Sequence, residues 1–219
     1  MIKHELINRV LTSLVVFPIL VYCTYVSGNY LIVLLLAIYS FSFYEIIKNT
    51  KSIFFNFTSN LVLILAFFSF YSLRGSTNES LIILYWILVS TFLSDIGGYV
   101  FGKTFKGKKL TKISPNKTYS GSLGSIILSV LSIPLISFAQ QFFFSEELIN
   151  FSQIKFYVLT VMISFICQFG DLYVSSLKRR LKIKNTGYFL PGHGGVLDRI
   201  DGLIFVLIFN FLLKKIGLI

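Results

Sequence analysis

The sequence predicts an all-α, polytopic integral membrane protein of about seven transmembrane helices, within bounds of seven to nine, with two basic cytoplasmic loops. Three observations predict it. Hydrophobic residues fill 55% of the 219 positions and charged residues 13%, and mean hydropathy is +0.79. The apolar residues fall in runs close to the roughly 20 positions that a helix needs to cross a bilayer core. Lys and Arg collect in alternate connections between those runs. A soluble fold is excluded, because a chain of this length cannot hide so many apolar side chains behind so few charged ones. Within lipid each backbone polar group must be satisfied internally, so helices are the default.

The first run, Val10 to Tyr25, follows Lys3 and Arg9 and lacks a small-x-small cleavage pattern, so it reads as a retained span. Ser27-Gly28-Asn29 leaves room only for a tight hairpin before the second run, Tyr30 to Ile47. Phe57 to Leu73, Leu81 to Phe101, Leu123 to Gln140 and Phe151 to Phe169 follow. Ile200 to Ile219 is the weakest span. Lys214 and Lys215 leave an uninterrupted apolar stretch only from Leu203 to Leu213, so a tilted helix with snorkelling lysines is expected. No internal repeat is visible, and the chain reads as a single membrane domain over 1–219.

Placing the N-terminus in the cytoplasm puts sixteen of the twenty Lys and Arg on that side, leaving Arg74, Lys155, Lys214 and Lys215 opposite. The formal charge of +11 therefore reports topology and contact with anionic head groups or substrates. No basic, aromatic-interleaved module for nucleic acid is present. Cys23 and Cys167 both lie in apolar runs and are expected to be inert packing residues, with neither a disulfide framework nor a cysteine metal cluster.

The chemistry is expected between Asp171 and Asp201. Asp171 closes the sixth apolar run and Asp198 and Asp201 open the seventh, at membrane-entry depth. Ionised groups there call for a metal, a basic partner or a water-filled cavity. The i, i+3 spacing puts Asp198 and Asp201 on one helix face. Three carboxylates among cations suit a divalent metal with oxygen ligands, most naturally Mg²⁺ shared with a phosphate. Helix capping would account for one of Asp198 and Asp201 but not for Asp171.

Lys178 and Arg179 follow Asp171 by about two turns and suit a polyphosphate. Arg180 and Lys182 read equally well as topology anchors. Pro191-Gly192-His193-Gly194-Gly195 is a flexible turn whose N–H groups could approach an anion, and His193 is a candidate base, phosphate donor or plain loop residue. The fourth loop carries Ser114, Lys117 and Thr118 ahead of Gly121, with Asp95 upstream, as a second wall for phosphate. Its bland alternative is a solvated basic loop near lipid head groups.

These residues carry a resemblance. From Ser175, the run Ser-x-Leu-Lys-Arg, then Lys184, Gly187, Leu190-Pro191, His193-Gly-Gly, Asp198-Arg199 and Asp201 closely resembles the signature of the phosphatidate cytidylyltransferases, or CDP-diacylglycerol synthases. Asp95-Ile-Gly-Gly-Tyr-x-Phe-Gly and Ile113-Ser-Pro-x-Lys-Thr resemble further family landmarks in the expected order. The resemblance covers roughly Asp95 to the C-terminus and implies a catalytic part in 95–219, with N-terminal spans in 1–75.

It also implies transfer of CMP from CTP to phosphatidic acid, giving CDP-diacylglycerol and pyrophosphate in phospholipid biosynthesis. Mg²⁺ is the implied metal, with K⁺ as a candidate companion, held by Asp171 and Asp198. Asp201 would support them; our own reading adds Lys178, Arg179 and His193 to the catalytic set and assigns Asp95, Ser114, Lys117, Thr118, Gly194, Gly195 and Arg199 to substrate binding. The implied location is the cytoplasmic membrane with the site facing the cytoplasm. The implied partners are CTP, phosphatidic acid and membrane lipids, with a homodimer left open and no nucleic acid.

Two positions depart from the family pattern, Asn185 and Ser120, each standing where a carboxylate is usual. An active but divergent member is the reading. The alternatives are a catalytically inactive homologue and an ion-coupled transporter or lipid carrier, since intramembrane carboxylates also mark ion paths.

Overall fold

The computed structural model describes residues 2–111, 114, 117–144, 147–183, 185–189 and 194–219, with side chains from residue 14 onward. Eight helices follow one another: α1 (Ile2–Val26), α2 (Gly28–Asn49), α3 (Ile53–Arg74), α4 (Asn78–Phe105), α5 (Tyr119–Val130), α6 (Ser132–Phe144), α7 (Ile154–Arg180) and α8 (Leu197–Lys215). Among the described residues five stretches are long and apolar enough to cross a membrane: α2, α3, α4, α5 with α6 over Tyr119–Phe144, and α7. The apolar part of α1, Leu14–Val26, is shorter.

The seven expected runs each contain helix, with one correction. The fifth run is two helices separated at Leu131, whose amide still bonds back to Leu128. The sixth apolar run closes at Asp171, but its helix does not. α7 starts at Ile154 and continues to Arg180, so Asp171 is interior to a helix. α8 is not among the five stretches long and apolar enough to cross, in keeping with a weak last span. It packs against both α3 and α7, with Ile204, Val206, Leu207 and Asn210 buried. Lys214 donates from Nζ to the carbonyl of Ser72 at 2.5 Å, capping the end of α3.

α4 is the hub, touching α3, α5, α6, α7 and α8. Lipid tails are as apolar as Leu, so helices in a bilayer associate through close packing of small residues and interhelical hydrogen bonds. Both are present. The α4 and α5 backbones meet at Gly97 and Gly124, where a Cβ on Gly97 would collide with the Gly124 carbonyl. Ser90 pairs with Ser132 at 2.7 Å and Ser94 with Ser164 at 2.8 Å, tying α4 to α6 and α7. Trp86 is fully buried, donates Nε1–H to Thr160 Oγ1 at 3.1 Å, and stands edge-on to Phe156.

Outside this core, Leu14, Phe17, Val33, Leu36, Phe57, Phe138, Phe142, Val158 and Phe169 are exposed. An apolar surface of that extent is untenable in water and is what a multi-pass protein shows to lipid. At one end of the bundle the buried Arg74 donates to the carbonyls of Thr24 and Tyr25, closing the C-terminus of α1.

Candidate active site

Backbone geometry aims Lys117. α4 ends where Lys106 takes φ 51° and Gly107 φ 103°, turning the chain back toward α5. The returning strand pairs with the outgoing one: Leu110 N–H donates to Lys117 O at 2.8 Å, and Tyr119 N–H to Lys108 O at 3.1 Å. Ser114 takes part through its carbonyl, which accepts from Lys117 N–H at 3.0 Å. Thr118 caps α5 by accepting from Gly121 N–H at 3.1 Å, and Ser120 donates its hydroxyl to the Lys106 carbonyl. Lys117, immediately before the cap, thereby reaches Asp171 Oδ2 at 3.1 Å.

Asp171 and Lys178 lie two turns apart on α7, hence on one face. Lys178 Nζ is 2.9 Å from Asp198 Oδ1 and 3.7 Å from Asp201 Oδ2, so the i, i+3 pair on α8 shares one ammonium. The other oxygen of Asp198 accepts from Thr186 N–H at 2.9 Å and Gly195 N–H at 3.1 Å. Asp201 in turn lies within hydrogen-bonding reach of Asp171. This crossing of α7 and α8 needs Gly202, because a Cβ there would lie 2.7 Å from Asp171 Oδ1 and from Cys167 Sγ.

α4 contributes Asp95. Its Oδ1 accepts from the Cys167 thiol at 3.3 Å, and ligand atoms of Asp95, Cys167 and Asp171 all lie within 4.8 Å of one another. Cys167 is buried in the core, as its apolar run suggested, and also borders the carboxylates. Lys117 and Arg199 are within electrostatic reach of Asp95. Four carboxylates, Asp95, Asp171, Asp198 and Asp201, thus face three cations, Lys117, Lys178 and Arg199.

The hard oxygens of Asp95 and Asp171 fit a divalent cation. The thiol of Cys167 is a softer donor than Mg²⁺ prefers. Of the two carboxylates expected to bind metal, Asp171 belongs to this group, whereas both oxygens of Asp198 are engaged by Lys178, Thr186 and Gly195.

The remaining expected residues divide. Arg179 is exposed, and its side chain has no hydrogen bond or ion pair among the described residues. Arg199 is exposed on the first turn of α8. Gly194 takes φ 88°, and the Gly195 amide meets the protein's own Asp198. His193 lies outside the described residues, as do Lys184, Leu190, Pro191 and Gly192.

Sequence reasoning missed Glu45, Asn49 and Thr186. Glu45, buried in α2, accepts from Val196 N–H, Leu197 N–H and the Thr186 hydroxyl. The signal was present: Glu45 is the one acidic residue inside the first three apolar runs.

The family model described as the cytidylyltransferase family matches residues 48–216. Among curated proteins, the chain is similar to a phosphatidate cytidylyltransferase of Rickettsia conorii, 37% identical over 139 residues that cover 63% of this chain and 59% of the relative. A protein of the same name from Staphylococcus saprophyticus is 36% identical over 149 residues, covering 67% of this chain and 55% of the relative. Another, from Bacillus subtilis, is 33% identical over 150 residues, covering 68% and 53%. The chain spans little more than half the length of these relatives.

Proposed function

This chain belongs to the cytidylyltransferase family, and from that premise we propose that it transfers CMP from CTP to phosphatidic acid in the cytoplasmic membrane, releasing pyrophosphate. The observation that carries the reading is the placement of Lys178. It sits on the Asp198 and Asp201 carboxylates and also lines a groove of about 410 Å³ between α2, α3, α7 and α8. Arg180 lines the same groove, and the rest of it includes Phe54, Phe55, Val62, Leu63, Val174, Leu177 and Phe205. A charged end and an apolar length in one groove suit a phosphate attached to acyl chains, a chemistry no soluble nucleotide site requires.

In the proposed reaction a phosphate oxygen of phosphatidic acid attacks the α-phosphorus of CTP. The α–β phosphoanhydride bond breaks and pyrophosphate leaves. Two anions must meet, so neutralising charge and holding the reactants in line supply most of the acceleration. Lys178 and Arg180 would hold the lipid phosphate, and Lys117, Arg179 and Arg199 the triphosphate, from the proposed cytoplasmic side.

A metal fits this site, and Mg²⁺, with K⁺ as its proposed companion, would supply charge neutralisation at the phosphates. Asp171 and Asp95 are the oxygen donors that favour it, with Asp198 across Lys178 and Asp201 beside Asp171. Incubating the purified chain with labelled CTP, phosphatidic acid and Mg²⁺ should give CDP-diacylglycerol. Absence of product across a range of divalent ions would overturn the proposal.

A further inference from the structure

Glu45 has 3% relative exposure, near the cytoplasm-assigned end of α2 and far in sequence from the residues discussed above. Its two oxygens take three hydrogen bonds: Oε1 from Val196 N–H at 2.8 Å, Oε2 from Leu197 N–H at 3.0 Å and from the Thr186 hydroxyl at 2.8 Å. One turn further on, Asn49 donates Nδ2–H to the Thr186 carbonyl at 2.6 Å. The amide of the same Thr186 donates to Asp198 Oδ2. Every polar atom of Thr186 is thus committed, two of them to α2 and one to the active-site carboxylate.

The fit leaves no slack. A Cβ on Gly195 would collide with Thr186 Oγ1 and lie 2.5 Å from Glu45 Oε2, and one on Gly187 would lie 2.5 Å from Glu45 Oε1. Among the described residues no cation pairs with Glu45. A buried carboxylate without a cation is costly, and a well-packed apolar side chain would stabilise the fold as well or better. What an apolar residue could not do is fix the backbone at Thr186 and at 195–197 relative to α2. Those segments supply both amides that hold Asp198 Oδ2, and Asp198 Oδ1 holds Lys178.

We propose that Glu45 is a positioning residue of the active site: through Thr186 and the N-terminus of α8 it sets the orientation of Asp198 and, with it, Lys178. The inference deepens the function proposed above and rests on it. A bare fold-stabilising role predicts a different outcome. Glu45→Gln replaces one acceptor by an NH₂ group that faces amide donors. Thr186→Val removes the hydroxyl at nearly constant volume, and Thr186→Ser keeps it.

The full chain in lipid nanodiscs is assayed below the unfolding temperature of each variant, with rates expressed per folded protein. Glu45→Gln and Thr186→Val should each lower kcat by about tenfold while KM for CTP moves less than about twofold, and Thr186→Ser should restore most of the rate. Hydrogen exchange across 194–198 should quicken in the two damaging variants while α4 and α7 stay protected. If both variants fold and kcat falls by less than about threefold, Glu45 only caps α8 and the proposal is overturned. Should Glu45→Gln fail to fold, Thr186→Val alone decides. A wild-type chain that makes no CDP-lipid overturns the proposed function instead. The exchange experiment then decides on Glu45, with unchanged exchange at 194–198 rejecting it.

Discussion

Lys178 Nζ lies 2.9 Å from Asp198 Oδ1, joining the last turns of α7 to the first turn of α8. The pair is mostly buried, with side-chain exposures of 16% and 8%, so neither charge is left to water. A cation read from sequence as a phosphate clamp is thus also the counter-ion that keeps two carboxylates, Asp198 and Asp201, at the site.

Removing Lys178 strands both carboxylates, whereas removing Asp198 leaves Lys178 with Asp201 at 3.7 Å. Lys178→Gln should therefore cost on the order of 3 kcal/mol of stability, and Asp198→Asn less. The double variant should be less destabilised than the sum of the singles, since both charges are gone. Thermal unfolding in detergent reads this directly, and strict additivity would show that the ion pair does not form. Turnover should be lost in all three.

On the α4 side, Asp171→Asn should raise the Mg²⁺ concentration for half-maximal rate by about tenfold or more, the scale expected when a metal ligand is lost. Cys167→Ser should keep the Mg²⁺-supported rate within about twofold and blunt inhibition by Cd²⁺, which favours the thiol. A metal dependence unchanged in Asp171→Asn would place the ion elsewhere.

Asn185 is exposed and stands beside Gly194, where a Cβ on Gly194 would lie 3.2 Å from Asp198 Oδ2 and 3.7 Å from Asn185 Cγ. Asn185→Asp adds a carboxylate next to Asp198 in a place open to solvent. Steady-state assays should find turnover equal to or above that of the wild type. A loss would mean that the site has been rebuilt around the amide.

Gly124→Val tests how the bundle is held. A Cβ at Gly124 collides with Phe101, and it approaches the Gly97 carbonyl at 2.8 Å. Relief requires the α4 and α5 backbones to part, so a loss of about 1–3 kcal/mol is expected, as for other overpacked sites. A normal unfolding temperature would show that α5 can shift at little cost. Because α5 begins one residue after Thr118 and two after Lys117, the same variant should also weaken the Lys117–Asp171 contact and with it the rate.

Parts of this site were legible without coordinates. Asp171, Asp198, Asp201, Lys117 and Lys178 stand out because charge inside or beside an apolar run is rare and needs compensation, whichever way the chain folds. The family landmarks of the second half reinforced them. Glu45 carried the same signal, yet its run offered no motif and no neighbour in sequence, so nothing indicated that it faces a turn about 140 residues later. The contact of the buried Cys167 with Asp95 was hidden for a related reason: an apolar run does not tell which of its faces meets Asp95.

By itself the sequence determined that the chain is helical and made for lipid, where the long connections fall, and which charged residues need partners. These follow from local composition, since the bilayer demands internally bonded backbone and punishes unpaired charge. Only the tertiary structure decided the pairings: Lys117 with Asp171, Lys178 with Asp198 and Asp201, Asp95 with Cys167, and Glu45 with Thr186 and α8. Each joins elements distant along the chain, and the rotation of one helix against the next, set by contacts such as Gly97 on Gly124 and Gly202 beside Asp171, determines which charges meet.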